Sequence, residues 1–375
     1  MTGAGEEPGD VPGGRADGQV PPDPDRGWSR GIVTLGDALV VPPDIHGPRQ
    51  RAGILAAGGG FCHHGANWRF DRRMSYRPSR RQGSVEALAG RWLWGGQIAS
   101  HFGHFLTEST SRLWALEGGA VDGVLFIPKQ PGDGAVLRGF QRQFFDLLGL
   151  TQPVRVAAAA VRVETLVVPG QGFGLGTISR GTPEMRALMR GRFARQVAPE
   201  GPERRYRSRS GLGGAGGMVL CERRLEALLE AEGYVVFHPQ DHDLATQVAR
   251  YRAARQIVIA DGSAAHLYAM VGRADQQVAF LPRRRTWWEF QVAHITHFCG
   301  RAPLVADALA REWLPLRPRR HRHMSFAEFD LPRLGRMLRE AGFVAGGDWP
   351  ALGSDEVVAA FGRMGLAGAF APDER

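Results

Sequence analysis

QIVIADGSAAHLYAM, residues 256–270, decides the fold. A short apolar run rich in β-branched side chains leads straight into Asp261-Gly262-Ser263, where a helical pattern begins. A buried strand that turns directly into a helix is half of a βαβ unit. On either side the same alternation continues. Upstream come MVLC (218–221), a helix around 222–232, YVVFHP (234–239) and a helix over 243–255. Downstream, the helix opened at Ser263 gives way to QVAFLP (277–282). Strands alternating with helices of roughly 10–15 residues imply a parallel sheet.

The first half of the chain carries a looser version of the same pattern. VLFIP (124–128) and ETLVVP (164–169) read as strands, and residues 134–150 have helical apolar spacing. Thr182-Pro183-Glu184 supplies a capping hydroxyl, a first-turn proline and an early acid, which predicts a helix start. Between the halves, VAPEGPERRYRSRSGLGGAGG (197–217) is polar, Gly-rich and aperiodic, so it reads as a linker. Residues 1–30 have almost nothing to bury and read as a disordered tail. The expected organisation is an α/β domain over 31–196, a second α/β domain over 218–345, and a helical extension over 346–375. A cleft is expected between the two domains.

At 375 residues the chain is long enough for two such domains. No run approaches ~20 apolar residues, which excludes a transmembrane helix. The first residues lack the basic and apolar regions of a secretory signal. Three cysteines, Cys62, Cys221 and Cys299, are an odd, scattered set. That argues for a reducing cytoplasm rather than a disulfide scaffold.

The net charge is +9, and Lys129 is the sole lysine, so nearly all the positive charge is guanidinium. Guanidinium groups favour phosphate-bearing ligands and anionic membrane surfaces. No aromatic RNA-binding signature, zinc-finger spacing or basic zipper accompanies them, so nucleic acid is not the expected partner.

Three segments can carry chemistry. In SHFGHFLTESTSRLWAL (100–116), His104, Glu108 and Arg112 fall at i, i+4 and i+8 along one flank of a helix. A solvated ion pair with a bystander histidine fits this pattern. So does a general base, His104 or Glu108, with Arg112 orienting it or holding a phosphate. At Asp261-Gly262-Ser263, free N–H groups and a helix start sit at the C-terminal edge of the sheet. Gly262 would admit a close phosphate, Ser263 would cap or donate, and His266 lies one turn on; an ordinary capped βα turn fits too. RRYRSRS (204–210) is either a solvated charge run or a source of arginines, Arg207 and Arg209 among them, for a diphosphate.

No metal site is expected. His101, His104 and Glu108 lack a suitably spaced partner, and in Asp241-His242-Asp243 the last acid reads as a helix cap. Three other signals are set aside: GQGFGLG (170–176) lacks the dinucleotide order, Cys62-His63-His64 reads as a loop, and RPRRHRH (317–323) as a solvated surface, with an anionic membrane as second choice.

In order and spacing these segments resemble glycosyltransferase family 61, the capsular-polysaccharide-type transferases, over roughly residues 90–285. HFGHFLTESTSRLWAL is similar to that family's amino-terminal helix, with His104, Glu108 and Arg112 on its recurring positions. YRSRS through QIVIADGSAAHL resembles its carboxy-terminal core, with Arg209, Glu222, Gln247, Ala254, Gly262 and Ser263 on recurring positions. Many members have His-Gly-Ala where this chain has Asp261-Gly262-Ser263, and Pro-Arg-Leu where it has Ser111-Arg112-Leu113.

The resemblance implies a GT-B-like pair of Rossmann-type domains and a nucleotide-sugar donor held by the carboxy-terminal half. It further implies a glycan or surface-polysaccharide acceptor and inversion at the anomeric carbon without a metal cofactor. His104 or Glu108 is then the base, with Arg112, Arg207, Arg209, Gly262, Ser263 and His266 toward the donor. A cytoplasmic enzyme, with the inner-membrane surface as a further partner, is the leading expectation. A non-catalytic nucleotide-binding protein or a peripheral membrane-interaction protein of the same fold is the alternative.

Overall fold

The computed structural model describes residues 19–79, 85–213, 217–316 and 324–373. The backbone divides into two compact units, the first ending at Arg195 and the second starting at Gln196.

The first unit is built on a six-stranded sheet. Its strands are β1 (Ile32–Val41), β2 (Gly53–Leu55), β3 (Glu86–Ile98), β4 (Gly123–Pro128), β5 (Val154–Val156) and β6 (Val161–Pro169). They lie in the order β2-β1-β6-β3-β4-β5. β2, β1 and β6 pair antiparallel, whereas β6, β3, β4 and β5 pair parallel. VLFIP forms β4, buried along its whole length, as an apolar strand with parallel neighbours on both sides should be. Helix α1 (Gly139–Leu147) makes the crossover from β4 to β5 and buries Phe144, Phe145 and Leu147. Helix α2 (Pro183–Gly191) starts where Thr182-Pro183-Glu184 predicts, with the Thr182 hydroxyl accepting the Met185 N–H.

Segment 100–116 is not one α-helix. It comprises a single α turn at Phe102–His104, a π turn at Phe105–Ser109 and a 3-10 turn at Leu113–Glu117. The Thr110 N–H reaches back five residues to the Phe105 carbonyl. A π turn inserts one extra residue, so every position after it is rotated out of the i, i+4, i+8 line. His104 and Glu108 keep their spacing, but Arg112 is turned into the core.

The second unit is a parallel α/β layer. In chain order it runs β7 (Arg204–Arg207), α3 (Glu222–Ala231), β8 (Val235–Phe237), α4 (Leu244–Ala253) and β9 (Gln256–Ala260). It continues through α5 (Ala264–Val271), β10 (Gln277–Leu281), α6 (Glu289–Cys299) and β11 (Leu304–Val305). The order is β8-β7-β9-β10-β11, every pair parallel. Chain direction across the sheet reverses between β7 and β9, the switch point at which such sheets open a crevice beyond their strand ends.

Tyr206, Leu225, Leu229, Val258, Ala279 and Leu281 form the core together with Leu334 and Leu338. The last two belong to α7 (Leu331–Glu340), which lies in a closing subdomain. There β12 (Leu309–Pro315), β13 (Phe326–Phe329) and β14 (Phe370–Pro372) pair antiparallel, and α8 (Ser354–Arg363) precedes the last strand.

Four expectations need correcting. The segment read as a linker contains β7, whose Arg205, Tyr206 and Arg207 are all buried. Its charges read as solvated because nothing local reveals that both faces of the strand are covered. MVLC is not a sheet strand; Val219 makes one isolated bridge to Ala327 and otherwise fills core. The end of the supposed tail is ordered, with Trp28 buried and its indole N–H on the Val20 carbonyl; residues 1–18 lie outside the described residues. The carboxy-terminal extension is more than helical, because β14 completes a sheet. RPRRHRH also lies outside the described residues.

The Asp243 cap is present: its carboxylate accepts the Thr246 N–H at 2.7 Å. Asp243→Ala should therefore cost about 1 kcal/mol, read as a lower midpoint in urea with unchanged slope.

Candidate functional site

Two polar clusters stand out, one in each unit. In the first, Glu108 is the centre. Its Oε1 accepts the Arg69 Nε–H at 2.8 Å and contacts His104 Nδ1 at 2.7 Å. Its Oε2 accepts from Arg69 Nη2 at 3.0 Å and from Lys129 Nζ at 2.9 Å. Burial alone would raise this carboxyl. The Lys129 ammonium, the His104 hydrogen bond and the Arg69 guanidinium outweigh that and hold it well below the usual carboxylate range.

A carboxylate so deeply ionised and so fully engaged is a poor base but a good orienting partner. With Nδ1 on Glu108, His104 keeps Nε2 for proton transfer, and its side chain is 36% exposed against 13% for Glu108. The geometry divides the two candidates: His104 is the one placed to take a proton, and Glu108 fixes its tautomer and orientation.

Arg112 is no part of this group. It is buried and donates to the carbonyls of His64, Ala66 and Pro169. Burial pulls its guanidinium down to about 9. It ties the 64–66 turn to the end of β6, while its buried Nε has no hydrogen-bond partner.

The second cluster sits at the switch point. Arg207 Nη2 donates to the Ala260 carbonyl, and Arg209 Nη2 donates to the Gly217 carbonyl at 2.9 Å. Both guanidiniums press against Gly262: a Cβ there would run into Arg209 Nη1 and stand 3.1 Å from Arg207 Nη2. A side chain at 262 would have to displace the Arg209 guanidinium.

Arg283 and Arg284 complete the set. Arg283 is buried and donates to the Ser325 carbonyl. Arg284 clasps Asp261 with two bonds, Nε to Oδ2 at 2.6 Å and Nη2 to Oδ1 at 2.8 Å. Gln291 donates to Asp261 Oδ1 and accepts the Gly262 N–H at 3.0 Å.

The electrostatics of this cluster are set by burial and by arginines facing one another. Burial draws Arg209 down to about 9, and the neighbouring Arg283 and Arg207 push it in the same direction. Burial takes Arg283 to about 10. Asp261 goes the other way: burial would raise it, but Arg284 and Arg283 hold it at about 2. The second acid, Glu222, is pushed up by burial while accepting the Arg209 N–H at 2.8 Å and the Tyr206 hydroxyl at 2.7 Å. Four guanidiniums thus converge here with the buried carboxylates of Asp261, Glu222 and Glu312, and a doubly charged ligand would ease the repulsion among the cations.

The other expected site residues lie as follows. Ser263 opens α5 in helical conformation, and its hydroxyl makes no capping bond, contrary to the expectation of a cap. His266 is buried, with Nδ1 2.9 Å from His294 Nδ1 and its ring stacked on Phe290, so its visible role is to join α5 to α6. Gln247 donates to the carbonyls of Pro239 and His242 and braces the loop before α4.

Sequence reasoning missed Arg69, Lys129, Arg283 and Arg284. For the last two a signal existed: three arginines directly after a strand, at the sheet edge that also carries Asp261-Gly262. Among the described residues no group of three His, Cys, Asp or Glu side chains is placed to hold a metal. No helix among them is long and apolar enough to cross a membrane.

Residues 102–273 match the family model described as Glycosyltransferase 61, a span that contains His104, Glu108, Lys129 and the Gly262 turn but not Arg69. No curated protein matches the chain.

Proposed function

Because the chain belongs to glycosyltransferase family 61, we propose that it moves a sugar from a nucleotide-sugar donor to a glycan or surface-polysaccharide acceptor, with inversion. It is a glycosyltransferase by family, and in this reading it is of the GT-B type. The second unit takes the donor diphosphate on Arg207, Arg209 and Arg283 beside the Gly262 turn, with the Ser263 hydroxyl as a further donor. The first unit supplies His104, oriented by Glu108, to take the acceptor hydroxyl proton as the glycosidic bond forms. The departing diphosphate keeps the bonding electron pair, and fixed guanidinium groups stabilise its charge. A metal is not needed for that step when three arginines hold the diphosphate, so transfer should persist in excess EDTA.

The observation that supports this reading is the convergence of arginines on Gly262 at the switch point. The test is calorimetry with a nucleoside diphosphate on the full chain. Arg209→Ala should weaken binding at least about tenfold, since a charge-assisted bond is worth roughly 1.5–3 kcal/mol. Unchanged affinity in a folded variant would remove Arg209 from the donor site, and activity lost to chelator and restored by Mn²⁺ would remove the metal-free step.

A further inference from the structure

We infer that the acceptor is an anionic sugar, its carboxylate or phosphate held by Lys129 and Arg69 beside His104, an inference that rests on the transferase reading above. Lysines and arginines number 47, and Lys129 is the only lysine. Wherever else the chain places such a cation it uses a guanidinium, so position 129 calls for what an ammonium offers. An ammonium is a compact charge whose three N–H donors can turn toward a ligand, whereas a guanidinium is a rigid planar fork.

The sheet places this residue. Lys129 directly follows β4, and its backbone N–H donates at 3.0 Å to the carbonyl of Ile98, the last residue of β3. β3 and β4 pair parallel and both end here, so Lys129 stands at the C-terminal edge where open α/β sheets take their ligands. The chain leaving β3 brings His104 and Glu108 to the same edge.

The donors of the two cations are only partly spent. Lys129 Nζ donates to Glu108 Oε2 at 2.9 Å and makes no other hydrogen bond among the described residues. Two of its N–H groups are therefore left for a ligand. Arg69 spends Nε and Nη2 on the same carboxylate and keeps Nη1. The Lys129 and Arg69 side chains are 19% and 23% exposed, half-buried and still open to solvent. Glu108 has both oxygens engaged, and Asp133 attracts the ammonium only through space while its Oδ2 accepts the Gln130 N–H.

The cluster thus offers donors on two cations next to an imidazole, because Lys129 Nζ and His104 Nδ1 lie on the two oxygens of one carboxylate. Anionic oxygens are the strongest partners for such donors, with bonds roughly twice as strong as neutral ones. A sugar whose anionic group rests on Lys129 and Arg69 brings a neighbouring hydroxyl to His104 Nε2.

The single lysine also supplies the probe. Acetylation of the full chain, followed by mass spectrometry of the peptide that carries Lys129, reads occupancy at that ammonium. Protection is titrated with glucuronic acid, galacturonic acid, glucose 6-phosphate, glucose, galactose and inorganic phosphate. An acidic sugar should protect at a concentration at least about tenfold below that of its neutral counterpart, and the uronates against the sugar phosphate tell which anionic group is read. Calorimetry on Lys129→Gln should show that preference lost and neutral-sugar affinity kept, while Lys129→Arg, which keeps the charge, should recover part of it. Equal protection by acidic and neutral sugars overturns the proposal, as does protection by no sugar. Free phosphate protecting as well as the best sugar also overturns it, since the site then reads an ion only. An equal loss for both kinds of sugar in Lys129→Gln overturns it too, by making Lys129 a support for Glu108. Nucleoside diphosphate is titrated alongside: if it binds while acidic sugars do not, this inference falls and the transferase reading stands, and if it does not bind, the donor-site reading falls.

Discussion

His104→Ala is expected to lower transfer turnover by about 10²–10⁴-fold while leaving nucleoside diphosphate affinity unchanged. The reason lies in how the ring is held. Glu108 Oε1 engages Nδ1 at 2.7 Å, so the imidazole presents Nε2 in a fixed orientation. Glu108 cannot substitute as base, because Arg69 and Lys129 occupy both its oxygens and keep it ionised.

Glu108→Gln should also depress turnover, since the amide no longer dictates which ring nitrogen carries the proton. It should destabilise the first unit as well, because two cations that shared one carboxylate then face each other without it. Lys129→Arg gives a finer test. A guanidinium needs more room than an ammonium in a site where Arg69 already lies side-on to the carboxylate. Rates of single-turnover transfer with bound donor would decide among these. If His104→Ala and Glu108→Gln both transfer at the wild-type rate, this cluster is structural and the base lies elsewhere.

The legible parts of the fold were those governed by local pattern. QIVIA became β9 over the expected residues because a wholly apolar run between turn signals has few other solutions. Thr182 and Asp243 became caps because a side-chain oxygen three residues before a free N–H is a local geometry. What stayed hidden depends on contacts far apart in sequence. Arg69 and Lys129 reach Glu108 across 39 and 21 residues, and no periodicity reports that.

The strand Arg204–Arg207 was masked by its own charge. Its arginines survive burial because Arg207 finds the Ala260 carbonyl and Arg205 lies 4.8 Å over the Phe237 ring. Arg112 misled for a different reason. A helical wheel assumes 3.6 residues per turn, and the π turn over Phe105–Ser109 voids that assumption for Arg112.

Asp261→Ala should be the most destabilising single change in the second unit, by roughly 3–5 kcal/mol. Its carboxylate is wholly buried and accepts from Arg284 twice and from Gln291 once. Removing it leaves Arg207, Arg209, Arg283 and Arg284 packed around one turn, with Glu222 and Glu312 as the buried acids that remain. The pH dependence follows from the direction of the shift. Folding lowers the Asp261 pKa from 3.8 to about 2, so its stabilisation is complete above pH ~4 and is lost as pH falls toward 2.

Wild type should therefore lose stability steeply over that acid window. Asp261→Asn, already weakened at pH 7, should be flatter there. Urea unfolding of the second unit at pH 7 and pH 3 measures both effects. A variant within about 1 kcal/mol of wild type at pH 7 would show that the arginines are relieved by something other than this carboxylate. Pyrophosphate supplies the converse check. If the cluster is an anion site, the ligand's charge replaces the missing carboxylate, and pyrophosphate should raise the unfolding midpoint of Asp261→Ala by more than it raises that of wild type.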